Sequence, residues 1–507
     1  MADRFTTNAR MVKRGIGTLL FALALSCHGS RGEDDPHRPL EMLVTNDPET
    51  LDPRYVTDAT GMRASRLIHA GLTRLDDSLR PIPYLAASLE WEGPLTLHVS
   101  LRRGLHFHGG AAFTSDDVVA TLHAFADPRV ASRHVRAVEA IASVVAAGPY
   151  DVRIVLKRPH ATLLSDLDLP ILRHDQAAGP PDPTGATLDG MGPFELAHSE
   201  RGELLLRPSR FGFGGPAHHE VAIRTVHDEN ARALRLYSGR ADLALNAISP
   251  TLLPALEGHA GLSVATSPGA NLTYLVVRVD QGALSDVRLR RAISLAIDRR
   301  TIADTLLGHH AQPADTLLPP GHWASTAAET PFVFDPEAAR RLVHALAVAH
   351  VHLTLLTSTD RLRLTIARTI AQELGDVGLD VEVVPLELGT LIARLNAGDF
   401  DLASLQMPEL TEPNTLRVFL HSASIPPAGA NRGRVRDDVV DGLLDRGDRE
   451  VVERARAQIY GDLERRLRDQ LFIIPLWHED QVAVVSARAR GFRPSPDGRW
   501  LGLVGVE

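Results

Sequence analysis

Apolar positions along the chain follow two periods, and the change from one to the other marks its elements. Leu95, Leu97, Val99 and Leu101 alternate with polar neighbours, as do Val152, Ile154 and Leu156. A period of two predicts half-buried strands. Short β-prone runs at 40–44, 71–75, 204–207, 221–226 and 272–279 predict further strands, and 104–110 reads as a strand closing in a tight turn. Helical spacing appears at 63–70, 229–237, 287–299 and 450–471. Thr114, with Asp116 and Asp117 behind it, opens a helix through Phe125. Asp335 followed by Pro336 is a second helix start. The runs 351–356, 361–374 and 379–384 make one βαβ unit.

Turn chemistry separates these elements. Residues 177–193 are rich in glycine and proline, the clearest internal linker, and the rhythm changes again after Ser267, Pro268 and Gly269. No internal repeat or low-complexity tract interrupts the pattern.

With 507 residues, 44% apolar and 23% charged, the chain has globular composition and material for about two to four domains. Its formal charge of -9 argues against a nucleic-acid partner, which calls for a basic face. The one cysteine, Cys27, excludes an intrachain disulfide, a Cys₄ zinc site and a cysteine-held iron–sulfur cluster.

Cys27 also closes an N-terminal signal. Arg4, Arg10, Lys13 and Arg14 precede an apolar run at 16–25, which ends at Ser26 and Cys27. That order is a secretory signal peptide over 1–26, with Cys27 placed to receive a lipid. Ala24 stands where lipobox motifs usually carry leucine. Ordinary signal-peptidase cleavage is the alternative. Removing 1–26 takes away four basic residues and one acid, leaving the mature chain more acidic. Residues 28–39 (HGSRGEDDPHRP) then read as a flexible tether.

Several local motifs occur in one order along the chain. They are Thr50, Leu51, Asp52 and Pro53, then residues 101–110 (LRRGLHFHGG), then 113–118 (FTSDDV). Residues 190–194 (GMGPF), 238–242 (SGRAD), 286–299 (DVRLRRAISLAIDR), 318–320 (LPP), 398–401 (GDFD) and 474–477 (IPLW) follow. This set resembles bacterial solute-binding proteins of family 5, the oligopeptide- and dipeptide-binding receptors of ABC importers. The resemblance runs from about residue 43 to 498. Most of these motifs build scaffold: their glycines permit turns and their aspartates start helices.

The resemblance implies an α/β, two-lobe periplasmic-binding-protein (flytrap) fold of the class II type, with an extra domain on the first lobe. Carried over, lobe I takes 40–58, 178–268 and 476–507, the extra domain 59–177 and lobe II 269–475. The hinge is expected at 267–269 and 474–476. In this family a lobe II carboxylate often clamps the ligand's α-ammonium, in an aromatic–x–x–Asp pattern. The matching segment here is Gln406, Met407, Pro408 and Glu409. Glu409 takes the clamp position, but Gln406 replaces the aromatic and the acid is one methylene longer. The alternative for Glu409 is a solvated loop acid. Arg278 stands where relatives commonly carry asparagine, either in a structural pair or as partner of a ligand anion.

The implied function is an extracytoplasmic receptor, periplasmic or at the cell surface. It captures a small solute, foremost a peptide, and delivers it to an inner-membrane ABC permease with its ATPase. The chain is expected to be a monomer held to the membrane through Cys27. The same scaffold also suits an oligosaccharide, metal chelate, haem or opine-like compound. A surface interaction protein or a hydrolase without a transporter is the alternative of another class. No cofactor is expected and no enzyme: HExxH, GxSxG and Walker patterns are absent. The 23 histidines include adjacent pairs at 218–219 and 309–310, but such spacing does not make convergent ligands, so no metal is expected.

Overall fold

The computed structural model describes residues 38–326, 331–346 and 351–507. The signal segment, Cys27 and all but the end of the tether therefore lie outside the described residues. An eleven-stranded mixed sheet organises residues 39–507. Its main path runs Asp380–Leu386, His352–Ser358, Leu402–Met407, Leu262–Val277, Ile473–Ser486, Leu243–Leu245, Leu40–Val44, Val221–Thr225, Glu203–Pro208 and Phe194–Glu200. Ala311–Pro313 pairs separately with Ile473–Ser486.

Each half of this sheet is a lobe with apolar packing on both faces. Leu40–Val44 is buried at all five positions, in parallel register with Val221–Thr225 and Leu243–Leu245. A strand covered on both faces reads as an unbroken apolar run, which is how 40–44 reads in the sequence. In the other half, His352–Ser358 and Asp380–Leu386 pair in parallel across the helix Arg361–Asp376, forming the expected βαβ unit. One core there gathers Leu275, Leu289, Ile293, Leu355 and Ile370, and a second, on the opposite face, gathers Leu272, Tyr274, Leu416 and Tyr460.

Two long strands, Leu262–Val277 and Ile473–Ser486, join the halves by pairing antiparallel. The run 272–279, read alone in the sequence, is part of the first of these continuous strands. Their ladder is regular from Leu262/Ser486 to Ser267/Gln481 and resumes at Asn271/Glu479. Pro268, Gly269 and Ala270 occupy the irregularity. Proline has no donor for a ladder, and a β-carbon on Gly269 would overlap the Glu479 carbonyl. On the second strand the register is irregular at residues 479–481 and again at 475–477, where Trp477 pairs with Thr273 and Pro475 with Tyr274.

A separate four-stranded antiparallel sheet carries Ala86–Gly93, Thr96–Leu101, Asp151–Leu156 and Ile141–Gly148. The helix Ser115–Ala126 packs beside it, started by a capping box between Thr114 and Asp117. The expected strand at 104–110 is a turn instead, with one isolated bridge from His106 to Ala112. Burial of Phe107 and the left-handed Gly110 fold it back before a ladder can extend. Gly190 and Gly192 lie against the carbonyls of Ile68 and Leu67, where a β-carbon has no room.

Candidate functional site

Polar side chains collect where the long strands pass between the lobes. Asn271 and Thr273 on the first strand face Glu479 on the second. Thr273 Oγ1 donates to Glu479 Oε1 at 2.7 Å. Arg363, in the first turn of Arg361–Asp376, donates through Nη1 to Thr273 Oγ1 at 3.2 Å and lies 3.4 Å from the same Glu479 oxygen. On the lobe I side, Asn246 donates to Gln481 Oε1 at 2.5 Å, and Gln481 Nε2 donates to the Pro496 carbonyl at 3.2 Å. Ala270 N also donates to that carbonyl, at 3.0 Å, so the C-terminal segment backs the crossing.

Glu409 stands just beyond the strand Leu402–Met407 in a left-handed conformation, φ +48. That region is unfavourable for a residue with a β-carbon, by about 1–2 kcal/mol, so the neighbours must hold it. Glu409 N donates to Asn271 Oδ1 at 2.9 Å, and Leu410 N donates to the Ala270 carbonyl at 2.8 Å. The backbone that carries Glu409 is thereby fixed at the cleft. Arg63, on the helix Ala59–Ile68 outside lobe II, donates to Glu409 Oε1 at 2.9 Å. The pair is 22% exposed on the arginine and 41% on the glutamate.

Further arginines stand behind Arg63. Arg66 and Arg499 both bind Asp168 Oδ2, at 2.9 and 2.7 Å, and Arg499 also binds Asp497 at 2.6 Å. Burial works against the charge of Arg499. Asp168 and Asp497 outweigh it and hold the guanidinium above the usual arginine value, with Glu409 adding to the effect.

Other contacts join the extra domain to lobe II. Ser165 Oγ donates to Glu412 Oε2 at 2.8 Å, and Glu412 also pairs with Arg456. Trp323 N donates to the Ser78 carbonyl at 3.0 Å, and Ala161 N to that of Asp448 at 2.9 Å. Between these contacts and the strand crossing is a cavity of about 850 Å³, bounded by Ser78, Ser267, Gly269, His322, Ser495 and Arg499. That size suits a small ligand.

The four ligand candidates on the sequence separate in space. Glu409 is in the cleft. Gln406 sits opposite Thr273, and its Nε2 is buried with no partner among the described residues. Met407 is a correction: it has no exposure and packs with Leu272, Tyr274 and Leu410, because successive residues of a strand point to opposite faces. Arg278 is a second correction. Its guanidinium is engaged by Asp280 and the Gly398 carbonyl, and it lies seven residues along the strand from Asn271, about 20 Å away.

Arg63, Asn271, Arg363, Glu479 and Gln481 were not singled out in the sequence. Each looks like an ordinary surface polar residue until strands distant in sequence are paired. Among the described residues, no group of three or more His, Cys, Asp or Glu is placed to hold a metal ion, and no helix is long and apolar enough to cross a membrane.

The family model for bacterial extracellular solute-binding proteins, family 5, matches residues 80–421. The chain belongs to this family. Among curated relatives of this family-5 protein, the probable di/tripeptide-binding protein 5 of Pseudomonas aeruginosa is 25% identical over 440 residues, covering 80% of this chain and 83% of that one. The glutathione-binding protein GsiB of Escherichia coli K12 is 24% identical over 504 residues, covering 96% of each. Solved structures show the same fold. The substrate-binding protein CtaP of Listeria monocytogenes aligns with a TM-score of 0.83 at 22% identity, over 92% of this chain and 99% of that one. NikA of Brucella suis, in complex with Fe(III)-EDTA, aligns with a TM-score of 0.81 at 23% identity, over 91% and 98%. The fold is thus the two-lobe periplasmic-binding-protein architecture with its extra domain.

Proposed function

We propose that this family-5 protein is the extracytoplasmic receptor of an ABC importer, capturing a peptide or peptide-like solute between its lobes for delivery to the permease. The observation that carries this reading is the convergence of both lobes on one polar crossing. Arg63 meets Glu409 from outside lobe II, and Glu479 on the second crossing strand meets Thr273 and Arg363. A ligand that touches both lobes favours the closed arrangement, so binding and closure are linked. The names of the curated relatives, di/tripeptide-binding and glutathione-binding, support the solute class.

The working division takes 40–58, 178–268 and 476–507 as lobe I, 59–177 as the extra domain and 269–475 as lobe II. Attachment through Cys27, a monomeric state and a partner permease belong to the same reading. The protein acts by binding, without catalysis.

The test is calorimetry with a library of di-, tri- and tetrapeptides, together with native mass spectrometry of the freshly purified protein. Saturable peptide binding, accompanied by a smaller radius in solution scattering, is the expected result. A captured oligosaccharide or metal chelate, with no peptide bound, would replace the solute class and keep the receptor.

A further inference from the structure

We propose that Arg63 is a specificity-determining residue: its guanidinium occupies the cation place on Glu409, so the cleft takes a peptide-like solute without requiring a free amino terminus. This rests on the reading of the cleft as a peptide site. It changes what that site recognises, from a peptide that must carry an ammonium cap to one taken with its amino terminus free or blocked.

Three observations carry it. Glu409 already accepts a charged hydrogen bond from Arg63, 2.9 Å away and contributed from outside lobe II. The backbone at Glu409 and Leu410 is fastened to the first crossing strand by Asn271 and Ala270, which keeps Glu409 at this place beside Arg63. The local charge is also balanced. Arg63, Arg66 and Arg499 face Glu409, Asp168 and Asp497. An incoming ammonium would therefore add an uncompensated cation beside guanidiniums, or displace Arg63 from its partner.

Arg63 has little freedom to withdraw. Its Nε is buried with no partner among the described residues, and its Nη2 lies against the backbone of Gly498, where even a β-carbon would come within 2.9 Å. The guanidinium is wedged between the C-terminal segment and Glu409. The geometry makes the pair part of the cleft wall rather than a loose surface contact.

The experiment compares matched free and N-acetylated peptides by calorimetry on four proteins: the full chain, Arg63→Gln, Glu409→Gln and the double variant. The parent protein is expected to bind the two peptide forms within about threefold, since an already paired carboxylate gives an added amine little. Arg63→Gln is expected to prefer the free amine by about tenfold or more, a charged hydrogen bond having been freed for it. That preference should vanish in the double variant. A parent protein that prefers the free amine tenfold, or an Arg63→Gln variant with no new preference, overturns the proposal.

Two further readouts separate this from failure of the peptide reading. If no peptide binds, the solute carried through purification is identified by mass spectrometry: one that lacks a primary amine supports the proposal, and one that carries an amine and loses tenfold or more in affinity on N-acetylation overturns it. If no solute is carried, melting temperatures decide. Non-additive losses for Arg63→Gln and Glu409→Gln support the pair as a fixed element, and full additivity overturns it.

Discussion

Arg54 and Asp52 form a fully buried ion pair at 2.6 Å, with no exposure on either side chain. Arg54 directs its remaining donors to the carbonyls of Ala177, Gly179 and Pro180, and Asp52 accepts from Asp182 N. The turn at 50–53 is thus knitted to the glycine- and proline-rich return of the chain from the extra domain. Removing one partner leaves the other charge buried and unpaired. Asp52→Ala is expected to destabilise the protein by about 3–5 kcal/mol, read by chemical denaturation. A loss below about 1 kcal/mol would mean water reaches Arg54.

The buried His69 responds to acid. Burial holds its pKa down at about 3, with His108 nearby adding to the effect, and neither ring nitrogen has a partner among the described residues. The unfolded chain protonates this ring below its ordinary value of 6.5, while the folded protein does not until about pH 3. Stability from this group is therefore present above 6.5 and lost as pH falls. At pH 5 the loss is about 2 kcal/mol. His69→Phe should lessen the drop in melting temperature between pH 7 and pH 5; an unchanged drop would exclude His69 as its source.

Glu464 works in the opposite direction. Burial lifts its carboxyl to about 7, although Leu317 N and Leu318 N donate to it. The folded state then holds a proton that the unfolded state releases near its ordinary value of 4.5. Its contribution is present below 4.5 and lost as pH rises towards 7. Relative to the parent, Glu464→Gln should gain stability on going from pH 5 to pH 8. A difference in melting temperature that stays flat with pH would overturn this.

The split between core and cleft on the strand Leu402–Met407 is open to direct test. Met407→Ala is expected to cost about 2–5 kcal/mol of stability with ligand affinity per folded molecule unchanged. Gln406→Ala is expected to weaken the ligand with little effect on melting. Arg278→Ala should leave affinity untouched. Calorimetry beside thermal denaturation reads all three, and a loss of affinity in Met407→Ala or Arg278→Ala would return that residue to the site.

Gly269 fits the crossing because it has no β-carbon. Gly269→Ala presses against the Glu479 carbonyl and is expected to lower stability by about 1–3 kcal/mol. If the overlap also spreads the lobes, solution scattering will show a larger radius at saturating ligand.

Much of the architecture is legible in residue order because it is local. Alternation at 95–101, the Thr114 capping box and the apolar run at 40–44 each declare an element without help from elsewhere. The crossing strands were read in pieces, because Pro268 and Gly269 look like an end when the partner strand is not in view. The cleft was harder still. Arg63 and Glu409 are separated by 346 positions, and nothing in the neighbours of Arg63 signals that it faces an acid. Glu409 was found only because it falls on a family pattern. Met407 and Arg278 entered with the segments that contain them, and strand parity and one short ion pair remove them.

The place of Ile473–Ser486 has a consequence for how the chain is made. This strand stands near the middle of the sheet, between Leu262–Val277 and Leu243–Leu245, yet comes from the last part of the sequence. Until it emerges from the ribosome, both halves of the sheet end in unpaired edges and have no shared spine. An N-to-C order of synthesis therefore leaves the nascent protein incomplete almost to its final residues. An unfinished chain of this kind is still threadable.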